Sequence, residues 1–454
     1  MKNGSPRINR LCLALFLSCL AAACGDSADD TDADADGASD VPADPTDMAE
    51  DTAAEDDGGD LPTDPPADEP PDDPGEDTTD APPDEEEIEL PPGGYEARGL
   101  WVTRWNYSSA ADVESIISRM AANGFNQIYF QVRGRADAFY QSSLEPWASN
   151  LSGTLGQDPG WDPLGLAVQR AHERGMEIHA WMNSFTMWAG SDPPASSTPE
   201  HILSAHPEWI CVDSGGDPMP LGSDYVFGSP GNPGMQDHIA AVAADIAEHY
   251  DVDGIHLDYI RYPGPDYSHD DASNARYAEA VAAEPGLSRG DWQRRQVSAT
   301  VEKVFTAVTS IRPEVVLSAA VWGIYRNTWG WSAVSKGYDD YYQDSRAWTA
   351  GEYVDALCPM IYWPITDTYG ERTDFAALID DHIEGNPNRY VYAGIHGNYE
   401  DFAEIEAEIE RQRGSGGEGF VIFAYPYIQD RGYWDDLLGG PLALPAIPPV
   451  MDWK

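Results

Sequence analysis

Eight short apolar runs that alternate with helix-like segments constrain the fold of this chain more than any other feature. Runs of this length are typical of buried strands, and the segments between them carry apolar residues at helical spacing. Such alternation predicts βα units and a parallel sheet. The predicted strands begin near Arg98, Gln127, Glu177, Asp253, Val315, Asp355, Tyr390 and Gly419.

The segments between these runs predict helices, and the first of them ends at Asn123-Gly124, a common stop. Eight strands with intervening helices over about 350 residues predict an α/β fold, a (β/α)8 TIM-type barrel. A doubly wound open sheet is the alternative, but no Gly-rich phosphate loop follows the first strand. The predicted helices are Asp112–Ala122, Pro163–Arg174, Gln236–Tyr250, Trp292–Ile311, Phe375–Ile383 and Glu400–Arg413.

The connections after the second to sixth strands are enlarged, and in a barrel all of them gather at one rim. They are rich in Trp, Tyr, Gly, Pro and Asp, and the chain contains 15 Trp. Aromatic rings can stack on the apolar faces of sugars while polar groups bind the hydroxyls. We expect roughly half of the Trp residues to lie in the core instead, because Trp buries so much area.

The stretch Asp253–Pro263 (DGIHLDYIRYP) predicts the most informative strand. Alternate side chains on a strand face opposite ways, so His256 and Asp258 share the face opposite to the two apolar residues. Pro263 cannot donate to a sheet, so the strand has ended by then. Asp258 is therefore expected at the carboxyl end of the fourth strand, where barrel enzymes hold their catalytic groups. A structural Asp that caps the next loop is the alternative.

Polar side chains also alternate with apolar ones in the second and third strands (QIYFQVR and EIHAWMN). Barrel interiors are normally filled by branched apolar residues, so polar residues late in a strand favour a site at the open end. Those early in the strands, Gln127 and His179, also fit an interior hydrogen-bond network. The substrate-binding candidates are Arg104, Arg133, Trp181, Asn183, His256, Tyr259, Arg261, Trp322, Tyr362, Trp363 and Tyr425.

Glycosidic bond cleavage is the chemistry that suits a carboxylic acid among aromatic rings. It requires an acid for the leaving oxygen and a nucleophile, base or substrate group on the other face. Asp258 is the best candidate for the first catalytic group. Asp137 and Glu145, which follow the second strand, are candidates for the second, although each also suits a loop cap. Further acids lie after the fifth strand, at Asp339, Asp340 and Asp344. An N-acetyl group of the substrate could also serve.

Residues 1–23 have the pattern of a secretory signal peptide, with Lys2, Arg7 and Arg10 before an apolar run and small residues. Their end, LAAAC, resembles a bacterial lipoprotein box, which implies cleavage before Cys24 and acylation of its sulfur. The bilayer would then be a partner, and Gly25 favours the outer membrane or cell surface. Ordinary secretion is the alternative. No later apolar run is long enough to span a bilayer.

Residues 24–94 are predicted to form a disordered acidic tether, since about 28 of the 79 acidic residues lie there with no Lys or Arg. Residues 95–440 would form the barrel and 441–454 a C-terminal tail. The formal net charge is −53, of which about −28 remains after residue 90. Such an acidic chain is a poor partner for nucleic acid.

Cysteine and histidine spacing predicts neither zinc binding nor any other metal or cofactor site. Cys211 and Cys358 remain once the signal peptide and Cys24 are set aside. Their apolar surroundings favour buried, inert thiols, and a disulfide between them is the alternative that the sequence leaves open. Nothing in the sequence indicates an oligomeric state.

Six motifs, in order along the chain, resemble the glycosyl hydrolase-like family 10, once catalogued as a domain of unknown function. They are RGLWVTRW, YFQVRGRADAFYQSSLEPW, DPLGLAVQRAHERGMEIHAWMN, YDVDGIHLDYIRYP, YYQDSRAW and PMIYW, and the resemblance runs from about Glu96 to Leu438. It implies a (β/α)8 barrel and glycan hydrolysis. Some bacterial members are envelope lipoproteins that cut peptidoglycan strands stripped of peptides, and a related barrel cuts partly de-N-acetylated poly-N-acetylglucosamine.

The Asp at the end of the fourth strand in that family matches Asp258 here. Many members have Asp-Asp-Tyr at this point, whereas this chain has Asp258-Tyr259, which leaves a single carboxylate at the strand end. Two alternatives to a glycosidase therefore stay open. The first is a non-catalytic glycan-binding surface lipoprotein on the same scaffold. In the second, the acidic tether is the functional part, a spacer or cation-binding arm.

Overall fold

The computed structural model describes residues 90–454, in which eight parallel strands close into a barrel. The closed, helix-covered barrel confirms the predicted (β/α)8 fold. The signal peptide, Cys24 and the tether up to residue 89 lie outside the described residues. In chain order the barrel strands are β1 (Ala97–Val102), β2 (Gln127–Arg133), β3 (Glu177–Asn183), β6 (Gly254–Asp258), β7 (Val316–Trp322), β8 (Ala356–Ile361), β9 (Tyr390–His396) and β10 (Gly419–Phe423).

Two further strands, β4 (Thr186–Gly190) and β5 (Gly222–Phe227), pair as an antiparallel hairpin in the connection after β3. All six predicted helices are present, with ends that differ by a few residues. The helices are Ala110–Ala122, Ser149–Ser152, Pro163–His172, Ile202–Ala205, Pro233–His249, Asp271–Ala283, Arg289–Ile311, Gly337–Asp340, Ser345–Ala350, Phe375–Gly385, Phe402–Ser415, Tyr425–Arg431 and Trp434–Gly439, with a 3-10 turn at Pro207–Trp209.

Strand alternation divides the core into two layers. The outward-facing strand residues, such as Ile128, Ile255 and Leu317, pack against the surrounding helices. The inward-facing residues form a separate cluster that includes Trp101, Tyr129, Trp181, Cys358 and Tyr392. The parity assigned to the second, third and fourth strands from their sequence is the parity that the structure has.

Polar groups fill the interior below the rim. His256 accepts a hydrogen bond at Nε2 from the indole of Trp101 (3.1 Å), and its Nδ1 lies 2.8 Å from the hydroxyl of Ser318. His179 stacks on Tyr129 with ring centroids 4.8 Å apart. A Cβ on Gly254 would lie 2.0 Å from Nδ1 of His179, so a glycine is needed for these side chains to fit.

Residues 441–454 cross the amino-terminal ends of the strands, which we call the floor of the barrel. Glu96 donates its backbone N–H to Ile447, and Gly93 donates to Pro445. The indole of Trp453 donates to Asp355 (2.9 Å), a carboxylate at the start of β8 that is 1 % exposed. The chain therefore enters the barrel at the floor and its last residues close that same end.

Cys211 and Cys358 are both buried and unpaired in the structure. Within residues 90–454, no helix combines the length and apolarity that crossing a bilayer requires.

Candidate active site

Asp258 ends β6 and lies at the open end of the barrel, which we call the mouth. Its Oδ1 accepts a hydrogen bond from the backbone N–H of Tyr259 (2.6 Å), and the residue is 6 % exposed. Burial raises the pKa of the Asp258 carboxyl above its usual range, against the lowering effects of Arg261, the Tyr259 N–H and the Trp181 indole. The desolvation of the charged form outweighs these partners, so the carboxyl holds its proton to a higher pH than an exposed Asp does.

Arg261 is a cation beside this carboxyl, with Nη1 3.5 Å from Oδ1 of Asp258. Its guanidinium carbon lies 4.6 Å from the ring centre of Tyr259, 5.4 Å from that of Trp322 and 5.9 Å from that of Tyr341. Aromatic faces attract a cation without neutralising it. The charge of Arg261 is therefore held beside Asp258 in a fixed place.

Asn183, the neighbour of Asp258 in the register of β3 and β6, belongs to a network that crosses three strands. Its Oδ1 accepts from the side-chain amide of Gln131 (3.0 Å), whose Oε1 accepts from the backbone N–H of Arg104 (3.0 Å). Asn183 also donates to the carbonyl of Gly134 (3.2 Å). A Cβ on Gly134 would come within 2.5 Å of the Arg104 guanidinium, so this glycine lets Arg104 lie over the network.

The β4–β5 hairpin forms one wall of the mouth through Tyr225. The phenol of Tyr225 accepts from Nη2 of Arg104 (2.7 Å), and its ring meets that of Tyr259 edge to face at 5.3 Å. Arg104 also stacks on Trp105, at 4.5 Å, whose ring is 44 % exposed. Tyr259 has a φ of +49°, a region that β-carbon-bearing residues rarely adopt. Such backbone strain occurs most often at functional positions.

The opposite wall consists of Tyr362, His396, Phe423 and Tyr427. The ring of Tyr362 lies 5.6 Å from that of His396 and 5.7 Å from that of Phe423. Burial raises the pKa of the Tyr362 phenol well above its usual value, and the charge of Asp258 adds to this effect. Tyr362 is therefore close to both Asp258 and His396.

Sequence reasoning missed His396, although its strand carries a readable pattern. In YVYAGIH the residues Tyr390, Tyr392 and His396 have the same parity, and Tyr392 belongs to the inward-facing cluster. In the second to fourth strands, a polar residue at an inward position late in the strand predicted a site residue. The same criterion applied to β9 would have selected His396.

The structure corrects the assignment of Glu145 and Arg133 to the mouth, because each is the ion-pair partner of the other. Arg133 Nη2 lies 2.7 Å from Glu145, both side chains are 0 % exposed, and His238 donates to the same carboxylate (2.9 Å). Burial raises the pKa of Glu145, but Arg133 and His238 outweigh it and lower the value to about 2. Glu145 is thus an ionised structural carboxylate that cannot serve as an acid.

Asp137, like Glu145, is a buried carboxylate that is paired with an arginine. Its Oδ1 accepts the backbone N–H of Arg135 (3.0 Å), its Oδ2 lies 3.4 Å from the Arg135 guanidinium, and its side chain is 0 % exposed. This carboxylate shapes the loop after β2 and has no surface through which to meet a sugar. The predicted catalytic role for Asp137 is therefore corrected to a structural one.

Two predicted substrate contacts also lie elsewhere. His256 is in the interior below the rim, with Trp101 and Ser318 at its two ring nitrogens. Tyr425 follows the end of β10 and packs at 5.6 Å against Trp434 in the outer helical layer, because the strand ends at Phe423. Trp363 stays at the mouth, because it follows the end of β8 and packs beside Gly323, which follows the end of β7.

The remaining candidates lie together at the mouth. Arg104, Trp181, Asn183, Asp258, Tyr259, Arg261, Trp322 and Tyr362 surround or adjoin one carboxyl group, although Asn183 is engaged mainly in the network that supports it. No group of three or more His, Cys, Asp or Glu side chains in residues 90–454 is arranged to hold a metal ion. A buried acid surrounded by aromatic rings and two arginines suits the binding of a sugar and the protonation of a leaving oxygen.

The closed barrel and the side chains at its mouth define a protein of the (β/α)8 class with a candidate site at the carboxyl ends of its strands. Comparison with known families makes the assignment specific: the chain belongs to the glycosyl hydrolase-like 10 family, whose model matches residues 96–402.

Two relatives show the extent of the similarity. The glycosyl hydrolase DigH of Escherichia coli K12 is 31% identical over 337 residues, which is 66% of this chain and 72% of DigH. The glycosyl hydrolase YngK of Bacillus subtilis is 29% identical over 248 residues, which is 53% of this chain, so this chain spans about half (47%) of the length of YngK.

Solved structures share the fold at low sequence identity. The PgaB (BpsB) glycoside hydrolase domain of Bordetella bronchiseptica superposes with a TM-score of 0.54 at 13% identity and covers 75% of this chain and 98% of that domain. The catalytic domain of a β-amylase from Paenibacillus polymyxa gives a TM-score of 0.51 at 12% identity and covers 74% and 94%. At such low sequence identities, the structural similarity is evidence for the barrel fold alone.

Proposed function

We propose that the protein hydrolyses glycosidic bonds in an amino-sugar polymer, with Asp258 as the general acid. The observation that carries this proposal is the carboxyl of Asp258 at the mouth, buried enough for its pKa to be raised. A general acid must hold a proton at working pH and release it to the leaving oxygen, so a raised pKa suits the role. Membership of the family supports the same reaction class.

The groups around Asp258 suit a polymer of ring sugars. The rings of Trp105, Tyr225, Tyr259, Trp322 and Tyr362 border the mouth and offer apolar faces to pyranose rings. Arg104 and Arg261 add donors for hydroxyl, carbonyl or carboxylate oxygens. The resemblance to family members that cut peptide-free peptidoglycan makes such glycan strands our proposed substrate.

A non-catalytic glycan-binding protein remains the alternative, favoured by the single strand-end carboxylate. Both proposals predict binding of glycan at the mouth, so turnover is the discriminating property. Binding without release of reducing ends, even after days of incubation, would favour the binding protein.

The test compares wild type with Asp258→Asn on purified, peptide-free glycan strands and on partly de-N-acetylated poly-N-acetylglucosamine. We expect the variant to lose at least about 100-fold in kcat, a typical contribution of general acid catalysis. Asp435→Asn, which changes an exposed carboxylate in the helix Trp434–Gly439, is the matched control and should retain wild-type activity. Equal activity of wild type and Asp258→Asn would remove Asp258 from the mechanism.

We also propose that the protein is exported and held at the envelope by acylation of Cys24. The lipoprotein-like box at the end of the predicted signal peptide supports this proposal. Incorporation of labelled palmitate into wild type and its loss in Cys24→Ser would be the expected result. Equal release of both forms into the medium would contradict anchoring.

A further inference from the structure

The last inward-facing residues of the barrel strands form a ring around the mouth. Most of them are neutral amides or aromatic rings, whereas Asp258 and His396 carry groups that titrate within the pH range of most enzymes. Seven of the eight strands contribute to this ring at or within two residues of their carboxyl ends, through Gln131, Asn183, Asp258, Trp322, Tyr362, His396 and Phe423. The phenol of Tyr362, with its pKa raised by burial, stays protonated in that range. Within this ring, one carboxylic acid and one imidazole therefore lie where they can contact a substrate at the mouth.

His396 occupies this ring through the parity of β9. Its neighbour Ile395 faces the helices, and Tyr392, four residues earlier, faces the interior. The imidazole lies among aromatic rings, 5.6 Å from Tyr362, 5.4 Å from Tyr399 and 5.6 Å from Tyr427 between ring centres. These rings fix its orientation at the strand end.

His396 differs from the structural histidines in its position at the mouth, and not in its hydrogen bonding. His256 has hydrogen-bond partners at both ring nitrogens, Trp101 and Ser318. Nε2 of His382 lies 3.0 Å from the carbonyl of Gly323. Nδ1 of His396 has no hydrogen-bond partner within residues 90–454, and the same holds for Nδ1 of His382 and for both ring nitrogens of His179. His179 stacks on Tyr129 in the barrel interior, and His382 belongs to the helix Phe375–Gly385. The partly exposed His396, by contrast, ends β9 at the mouth, where a substrate can lie against its imidazole.

We propose that His396 is the second catalytic group of this site, the general base that activates water while Asp258 protonates the leaving oxygen. The proposal deepens the function proposed above and rests on it. Glycosidic cleavage requires a second catalytic group in addition to the acid. Asp137 and Glu145 do not provide it, because both are buried beside arginine partners.

The electrostatics of the two groups agree with these roles. Burial, together with the cation of Arg431, lowers the pKa of His396, so the imidazole is neutral and able to accept a proton near pH 7. The other titratable groups that face it are the phenols of Tyr362, Tyr399 and Tyr427, which are neutral at that pH. The pKa of Asp258 is shifted the other way, upward, which favours a protonated acid and a neutral base in the same site.

The step is balanced as a single displacement. The oxygen of water forms a bond to the anomeric carbon, and the bond from that carbon to the leaving oxygen breaks. His396 takes one proton from the water and Asp258 gives its proton to the leaving oxygen, so the site ends as an imidazolium and a carboxylate. One displacement inverts the anomeric configuration, whereas two displacements through a covalent intermediate would retain it.

The first test is the stereochemistry of the wild-type product. Proton NMR of fresh digests of a glycan oligosaccharide should show the inverted anomer before mutarotation. Retention of configuration would overturn the proposal without any variant, and would leave Asp258 as the acid of a different mechanism.

The second test is His396→Gln, compared with His249→Gln as the matched control. His249 is an exposed histidine at the end of the helix Pro233–His249, on the floor side before β6 begins, so its variant should keep wild-type activity. We expect His396→Gln to lose at least about 100-fold in kcat with KM changed less than about threefold, as for loss of a general base. The acidic limb of the pH–rate profile should disappear, and added imidazole should restore part of the rate in His396→Ala.

The outcomes separate the two proposals. If Asp258→Asn is inactive and His396→Gln keeps at least one third of wild-type kcat, the role of His396 is overturned. The proposed glycosidase activity is then retained. An absence of wild-type turnover on every amino-sugar polymer would overturn the proposed function, and with it the role of His396.

Discussion

Burial and a neighbouring cation act in opposite directions on the carboxyl of Asp258. Burial raises its pKa, and Arg261, 3.5 Å away, is the strongest of the groups that lower it. Because Arg261 is only 4 % exposed, solvent screens the pair poorly. The charge of Arg261 therefore sets the pH at which the proposed acid loses its proton, and the aromatic rings around it hold that charge in place.

Replacing Arg261 by Gln should raise the pKa of Asp258 further, since the cation that favours the carboxylate is removed. A general acid works in its protonated form, so the alkaline limb of the kcat/KM profile should move to higher pH. Arg261→Lys keeps the charge and should keep the limb closer to its wild-type position. A limb that moves to lower pH in Arg261→Gln, or does not move, would show that Asp258 is not the titrating acid.

At the scale of elements, the β4–β5 hairpin brings a wall to the mouth that the barrel itself does not supply. Its Tyr225 contacts Arg104, from the end of β1, and Tyr259, from the end of β6. The hairpin thereby connects two distant strand ends across the opening. The position of Arg104 then depends on this phenol as well as on the strand that precedes it.

The variant Tyr225→Phe should weaken substrate binding without removing the catalytic groups. It deletes the 2.7 Å hydrogen bond to Arg104, and hydrogen bonds to charged groups contribute about 1.5–3 kcal/mol. We expect KM to rise about tenfold, with kcat changed less. Tyr390→Phe, which deletes a phenol hydrogen bond to Val450 at the floor, is the control and should leave KM unchanged. A fall in kcat alone would contradict this role for the hairpin.

Strands and helices were predictable because their signals are local. Alternation within seven residues set the inward face of β2 and β3, and caps such as Ser109, whose hydroxyl accepts the Asp112 N–H, set helix starts. The hairpin was missed because it is stabilised by pairing across residues 191–221 and not by a short turn. The Arg133–Glu145 pair was misassigned since a charged residue late in a strand has the same sequence pattern whether it faces a ligand or a buried partner.

At the scale of the whole molecule, the two ends of the barrel have different tasks. The mouth carries the proposed chemistry, and the floor is closed by residues 441–454. Asp355 is the anchor of that closure. Its carboxylate receives the Trp453 indole (2.9 Å), Nζ of Lys454 (2.8 Å) and the backbone N–H of Leu317 (2.8 Å).

Removing residues 451–454 should lower stability and spare activity. Asp355 would keep a backbone partner but lose its cation and the indole, and an under-satisfied buried charged group costs about 1–3 kcal/mol. We expect a fall in Tm of several degrees, with kcat/KM at 25 °C within twofold of wild type. Asp452→Ala, an exposed change in the same segment, is the control. A large loss of kcat/KM in a folded truncated protein would show that floor and mouth are coupled.

The charge of the whole molecule should influence which glycans reach the mouth. The part of the chain after residue 90 carries a net charge of about −28, although Arg104 and Arg261 make the mouth itself locally positive. At low ionic strength the net negative charge repels an approaching anionic polymer before it comes near the two arginines. Added salt removes this repulsion, because charges more than about 10 Å apart are largely screened at 0.1 M. Glycan strands that bear carboxylates should therefore be hydrolysed faster as salt is added at low ionic strength.

We expect kcat/KM for carboxylate-bearing strands to rise severalfold between about 10 mM and 150 mM NaCl, a range over which the screening length shortens from about 30 Å to about 8 Å. A neutral N-acetylglucosamine oligosaccharide of similar length is the matched control and should show little change, since it carries no charge to be repelled. A fall of kcat/KM with salt for the anionic strands alone would instead mean that the arginines at the mouth dominate the encounter and outweigh the acidic surface around them.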